Sequence, residues 1–340
     1  MTIDQAPARP ARQGSDFAQL SRRIAQAGLL ERRPVYYAVR MTVVAGLFAG
    51  GWTAFALVGD SWWQLLVAVF LAVVFAQVAL LAHDLAHGQV FRSRRRSRIA
   101  GLVAGNLGIG LGYGWWTDKH TRHHANPNHE DHDPDVAPDV LVWSVKQAEN
   151  SSGVARFVGR WQAFLFFPLL TLEGVNLHVS SLRSLRRPTL KNRGTEAALL
   201  IAHDVAYLAA IFAVLPVGKA LVFLLVHQAC FGVYLGCTFA PNHKGMPVLT
   251  GDDELDFLRK QVLTSRNVRG GRVVNVALGG LNYQIEHHLF PSMPAPNLRR
   301  ARPIVRDYCR SLDVPYAEAG LLASWGQALR HLHEVGRPLR

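Results

Sequence analysis

Cysteine is scarce in this chain: Cys230, Cys237 and Cys309 are its only thiols. Two of them lie inside one apolar run, so no paired framework is on offer and a disulfide-stapled scaffold is excluded. Charge is scarce as well, at 18% of residues, and its acidic part is the smaller, with 24 Asp and Glu against 37 Lys and Arg. Residues 1–33 are polar, carry Pro and Arg, and lack the short apolar core and small-residue cleavage site of a secretory signal. No low-complexity tract occurs, and no internal repeat beyond two pairs of apolar runs.

What the chain does have is uncharged blocks of bilayer length. Met41–Gly59 carries no charge, and Ser61–His83 is interrupted only by Gln64 and Gln77. Ala220–Phe239 is a third block, and Ala197–Leu215 a fourth if its His203-Asp204 pair is tolerated. Roughly 20 such residues cross about 30 Å of hydrocarbon as a helix, so these blocks predict an integral membrane protein. A net charge of +13 would suit nucleic acid. The strongest basic cluster, Arg92–Arg98, directly follows an apolar block, however, where a positive-inside topology signal and lipid headgroup contacts belong. No nucleic-acid partner is expected.

The first two blocks are separated by a tight turn around Asp60, and the other two by Leu215–Lys219. Each pair is therefore a hairpin whose outer ends share one face, and the arginine cluster marks that face as cytoplasmic. Between the hairpins, Ile99–Thr117 is uncharged but carries six glycines, each weakening a helix by about 1 kcal/mol relative to Ala. Trp161–Leu172 is shorter and interrupted by Pro168, and is expected to lie in the membrane interface.

Histidine is bunched. His83 and His87 stand at i and i+4; His120, His123 and His124 at i, i+3 and i+4; Gln284, His287 and His288 repeat that spacing. On a helix each set falls on one narrow arc, which a metal requires because imidazoles on different faces cannot reach a common ion. Seven imidazoles exceed the needs of one ion, so two metals are implied; nitrogen ligands suit iron, zinc or copper, and a redox role excludes zinc. Ligands of one site must share a face, so Ile99–Thr117 is expected to dip in and return, or lie shallowly, rather than cross. The fold class expected is an all-α integral membrane protein. Two transmembrane hairpins, four spans in all, would support a cytoplasmic helical cap carrying a histidine-rich two-metal site.

"HDLAHG", "HTRHH" and "QIEHHLFP", in that order around two apolar hairpins, resemble the boxes of the membrane fatty acid desaturase superfamily, from about Ser61 to beyond Tyr308. The resemblance implies two non-haem iron ions that activate O2 with electrons from a separate donor, such as a ferredoxin-like or flavin-containing reductase. The product implied is a cis double bond in a fatty acyl chain held on CoA or in a lipid. It also implies a polar segment 1–33, a membrane desaturase domain 34–315 and a cytoplasmic tail 316–340. The metal ligands implied are His83, His87, His120, His123, His124, His287 and His288. Gln284 stands where many relatives have histidine, a form familiar in front-end and bacterial acyl desaturases, and His243 in "APNHKGMP" offers an additional nitrogen.

Around these ligands, Asp84 is expected to support a histidine from another helix, as carboxylates do for metal-bound imidazole. Asp133 and Asp135 resemble the family's acidic pair after the second box. His129 and His132 sit in a Pro- and Asp-rich loop and are read as solvated or supporting, and Glu286 as a salt-bridge partner. Trp115, Trp116 and Tyr234 are candidates for lining an acyl tunnel, or equally for an interfacial aromatic belt. Arg299 and Arg300 are candidates for CoA phosphates, or for a solvated helix face. A hydroxylase or ketolase acting on acyl chains or isoprenoids would use nearly the same ligands. A membrane zinc hydrolase would typically need fewer histidines and an HExxH general base, which is absent. A metal carrier would place its ligands mid-membrane.

Overall fold

The computed structural model describes residues 15–251 and 253–340, so the first part of the polar segment 1–33 lies outside the described residues. The chain is mostly helical and divides into two compact units. One comprises Arg33–His120 and Phe166–Thr238; the other joins the segment up to Arg32 with Thr121–Leu165 and Phe239–Arg340.

In the first unit, the helices Pro34–Val58 and Gln64–Ala86 form the expected hairpin. Proline at the start of the first helix costs nothing, because that N–H has no helical partner anyway. At its far end Gln64 Nε2 donates to Phe55 O at 2.7 Å and Gly59 O at 2.9 Å, satisfying carbonyls that the helix terminus leaves over. The second hairpin is Arg193–Val214 with Val217–His243. Lys219 Nζ meets Asp60 Oδ1 at 2.7 Å, so the turns of the two hairpins lie side by side.

The glycine-rich segment folds back on itself. The helix Arg94–Leu102, capped by Ser93, continues as a π-helical stretch over Val103–Gly108 and then breaks. A new helix, Tyr113–Ala125, follows. Leu102 and Tyr113 belong to one buried cluster with Ala82, and a methyl added at Gly101 would overlap the Tyr113 ring. A straight helix would separate residues 101 and 113 by about 18 Å. The freed polar groups at the break are satisfied within the protein, as they must be away from water: Tyr113 N donates to Asn106 Oδ1 at 3.0 Å and Gly112 N to Ser181 Oγ at 2.9 Å. His178 and His203 approach Gly110 O at 3.0 Å and Leu107 O at 2.9 Å, and His227 bonds Tyr207 Oη at 2.8 Å. These histidines thus link helices.

Five described helices are long and apolar enough to cross a bilayer. Four of them correspond to the uncharged blocks read from the sequence. The fifth, Gly153–Ser184, contains Trp161–Leu172 and runs unbroken through Pro168 for 32 residues. Proline removes one helical bond and crowds the preceding turn, but packing keeps the helix intact. Gly232 brings its backbone so close to Leu170 O that a methyl there would overlap it. Such backbone approach at small residues is how helices associate in lipid.

In the second unit, the helix Asp16–Gln26 packs Leu20 and Ile24 into a core with Leu258, Val262, Ile285 and Val305. The helix Ala295–Ser311 carries Val305, and Asn297 Nδ2 holds Leu29 O at 2.8 Å. Residues 316–340 form a strand, Glu318–Gly320, and a helix, Leu321–Val335, whose Leu332 and Val335 are buried. The strand pairs in parallel with Asn267–Arg269, in the register Asn267 to Glu318, and adds a short ladder that an all-α expectation omits. Three-residue strands leave no alternation long enough to read.

Candidate metal centre

Each unit carries its own histidines, and the helix Tyr113–Ala125 serves both: His120 belongs to one unit, His123 and His124 to the other.

In the first unit, His83 lies in the last turn of Gln64–Ala86 and His87 caps that helix, its N–H bonded to His83 O. His120 Nε2 stands 3.0 Å from His87 Nε2, and the three residues each offer a nitrogen within 4.8 Å of the others. Trp116 lies flat on the His120 ring, with centroids 4.5 Å apart, and edge-on to His83. Asp84 pairs with Arg40 at 2.5 Å and lies 3.4 Å from His83 Nδ1. Trp115 is buried, and Tyr234 Oη accepts from Gln77 Nε2 at 2.9 Å.

In the second unit, His123, His243 and His288 are buried and offer nitrogens within 4.8 Å of one another. All three turn Nδ1 outward to an acceptor. His123 Nδ1 donates to Asp133 Oδ2 at 2.8 Å, with Asp135 Oδ2 at 3.5 Å. His243 Nδ1 donates to Thr264 O at 3.0 Å, and His288 Nδ1 to Gln261 Oε1 at 2.9 Å. Since Nδ1 holds the proton, each Nε2 is left as a lone pair, the form a metal takes. Asp133 is itself locked by the N–H groups of Asn128, at 2.7 Å, and Asp135, at 2.8 Å.

Electrostatics separates these rings. Burial alone would lower the His123 pKa, but the Asp133 carboxylate outweighs it and holds the group above its ordinary value. His288 has no carboxylate partner of that kind; burial, with His124, His243, His123 and His287 around it, drives its pKa well down and keeps it neutral. His287 Nε2 stands 3.1 Å from His124 Nε2. Gln284 Nε2 lies 2.9 Å from His243 Nε2, while its Oε1 accepts from Asn242 Nδ2 at 3.2 Å.

Other expectations land elsewhere. The His129 and His132 rings lie 4.4 Å apart, tilted by 33°, and His129 pairs with Leu249 in an isolated bridge. Arg299 and Arg300 are exposed on Ala295–Ser311. Glu286 is not the salt-bridge partner expected. It is fully buried, with Tyr316 Oη at 2.5 Å and Asn267 Nδ2 at 2.8 Å, and burial pushes its pKa up to about 7. The sequence reading missed Gln261, Thr264, Arg266 and Asn267, all buried polar residues that brace the ligand segments. No local pattern marks them, since the residues just before them, GDDELDFLRK, are mostly charged.

Clustered imidazoles whose ring protons are held by Asp133, Thr264 and Gln261 are a donor set that fits a transition metal such as iron. Comparison with known proteins agrees with that chemistry. The family model described as "Fatty acid desaturase" matches residues 60–320. An acyl-lipid (9-3)-desaturase of Physcomitrium patens is 29% identical over 332 residues, 94% of this chain, which spans 62% of that relative's length. A Delta(8)-fatty-acid desaturase of Euglena gracilis is 28% identical over 88% of this chain and 74% of its own. An acyl-lipid 8-desaturase of Rebecca salina is 28% identical over 94% of this chain and 74% of its own.

Proposed function

Because the chain belongs to the fatty acid desaturase family, an oxidoreductase family, we propose that it is a multi-pass membrane enzyme that introduces a cis double bond into a fatty acyl chain. The reaction takes two hydrogens from adjacent methylenes and, with O2, two electrons and two protons, yields the alkene and two waters. His83, His87, His120, His123, His124, His243, His287 and His288 would hold two iron ions, which supply the activation of O2, and Gln284, 2.9 Å from His243 Nε2, would support that ring. The observation that carries this reading is the outward anchoring of Nδ1 in His123, His243 and His288. Asp133, held by two main-chain N–H groups, keeps the His123 proton on the side away from the metal. Asp135 adds charge beside it, and Asp84, paired with Arg40, plays the corresponding part near His83.

The carrier is read as a lipid ester, in keeping with the two relatives named acyl-lipid desaturases; a CoA thioester would bring Arg299 and Arg300 into use as phosphate contacts. Trp116, stacked on His120, would border the acyl chain, and Trp115 and Tyr234 are the other candidates for lining it. The electrons come from a separate ferredoxin-like or flavin-containing donor, steered by the net charge of +13, so reduction by an acidic donor should slow as salt is raised.

The decisive measurement is metal analysis of the purified protein together with lipid profiling of a host expressing it. Two irons and a new double bond are expected, both lost in His287→Ala. One zinc with unchanged lipids rejects the reading, and a hydroxylated product moves it to a hydroxylase.

The topology proposed has four spans, with Gly153–Ser184 not crossing and with the ligands, Ser15 and Arg340 all cytoplasmic. Support comes from the arginine cluster, the adjoining hairpin turns and the folding back of Ile99–Thr117. Single cysteines placed over Tyr113–Lys119 and beside His83 should react with an impermeant reagent from the same side. Labelling from opposite sides would reject the topology.

A further inference from the structure

One short segment outside the histidine boxes touches three ligand-bearing pieces of chain. Gln261 lies in the last turn of the helix Phe257–Leu263, and residues 264–266 lead into the strand Asn267–Arg269. Gln261, Thr264 and Asn267 are no more than 1% exposed, so water does not compete for their polar atoms.

Gln261 carries a logical chain of hydrogen bonds. The main-chain oxygen of His124 can only accept, so the amide end facing it at 3.0 Å is Nε2. The other end, 2.9 Å from His288 Nδ1, is therefore Oε1, which can only accept. His288 Nδ1 must then carry the ring proton, and its buried Nε2, which has no hydrogen-bond partner, is the lone pair. The orientation of one amide thus passes from the end of the second-box helix to a ring of the third box.

The rest of the segment works alongside. Thr264 O takes the His243 Nδ1 proton. Asn267 Oδ1 accepts from Ile285 N at 2.9 Å, in the first turn of Gln284–Leu289. That helix begins at Tyr283 with no side-chain cap of its own, so Asn267 does the capping from another segment. Asn267 Nδ2 reaches Glu286 and Tyr316 as well, which fixes its own rotation.

We propose that Gln261 is a positioning residue that sets the tautomer and ring angle of His288 for metal binding, with Thr264 and Asn267 bracing His243 and the third-box helix beside it. The proposal rests on the metal-centre reading above. Supporting hydrogen bonds of this kind are worth about 10–100-fold in metal affinity.

The test uses full-length protein in detergent, stripped with a chelator and titrated with cobalt(II), whose visible absorption reports both binding and coordination geometry. Gln261→Leu, similar in volume but unable to accept, is expected to weaken binding about 10–100-fold and change the spectrum. Gln261→Glu, which keeps an acceptor at the same reach, should stay much closer to wild type. In a His288→Ala background, Gln261→Leu should add little, because the residue acts through that ring. Wild-type affinity in Gln261→Leu, equal losses in the leucine and glutamate variants, or full additivity with His288→Ala would each overturn the proposal. If Gln261→Leu does not fold, Gln261→Asn replaces it, since it withdraws the acceptor by one methylene and the same losses are expected. Wild-type protein that binds no cobalt would overturn the metal-centre reading itself, a separate result.

Discussion

His243→Ala should abolish double-bond formation, whereas Gln284→Ala should leave a measurable rate. The two residues face each other, with Gln284 Nε2 2.9 Å from His243 Nε2, and their surroundings assign them different work. His243 gives its Nδ1 proton to Thr264 O, which leaves a lone pair beside His123 and His288. Removing it takes away a nitrogen that nothing else in the group supplies. A loss of at least about a hundredfold in turnover is expected, at the upper end of what a supporting residue costs, together with a fall in bound iron. Gln284 directs its Oε1 to Asn242, and an amide oxygen used in that way is not a strong metal donor. Its alanine variant is expected to lose about tenfold or less, within the range of a supporting contact, and to keep its iron. Product formation and iron content measured side by side decide the matter. The opposite ranking would make Gln284 the ligand and His243 its support.

That pair also marks how far the sequence reaches. The four apolar helices of the two hairpins and the histidine sets were legible because each is a dense local pattern: a block without charge, or imidazoles repeated at helical spacing. The folding back of Ile99–Thr117 was legible only through chemistry, since its hydropathy alone reads as a span; the need for nearby ligands argued otherwise. The helix Gly153–Ser184 was not legible. Pro168 breaks the local pattern, and what restores the helix is packing near Leu170 by Gly232, far along the chain. Glu286 was misjudged for a related reason. A glutamate between two ligands reads as one half of an ion pair, yet Tyr316 and Asn267, both distant in sequence, satisfy it without a cation. Gln261 and Asn267 escaped because a lone amide has no spacing to recognise. Its value lies wholly in what the fold brings to its two ends.

Arg266→Met is expected to cost more stability than any other single change outside the ligands. Arg266 is 1% exposed, and its partners are oxygens of the main chain and of an amide, with the Met246 sulfur at 3.9 Å, rather than a carboxylate. Nε and Nη2 both bond Pro241 O, Nη2 also reaches Lys244 O at 2.8 Å and Ser324 O at 3.3 Å, and Nη1 meets Gln327 Oε1 at 2.6 Å. Burial draws its pKa down to about 10, which still leaves the guanidinium charged at neutral pH. A cation suits this place, because the carbonyls it gathers close the C-terminal end of Val217–His243, the negative end of that helix dipole. Methionine fills similar space but strands several buried acceptors at once, each worth about 1–3 kcal/mol. The sum is on the order of 5 kcal/mol, against about 5–15 kcal/mol for the whole stability of a typical domain. Melting in detergent should therefore fall in the order wild type, Arg266→Lys, Arg266→Met, with the methionine variant yielding little folded protein. The lysine variant keeps the charge but not the fork, so it should fold and yet hold the Pro241–Lys244 turn loosely. Because His243 sits in that turn, its affinity for cobalt(II) should drop even where its melting temperature changes little. Wild-type melting in Arg266→Met would mean that these carbonyls find other donors, and that the buried cation is not what holds the turn.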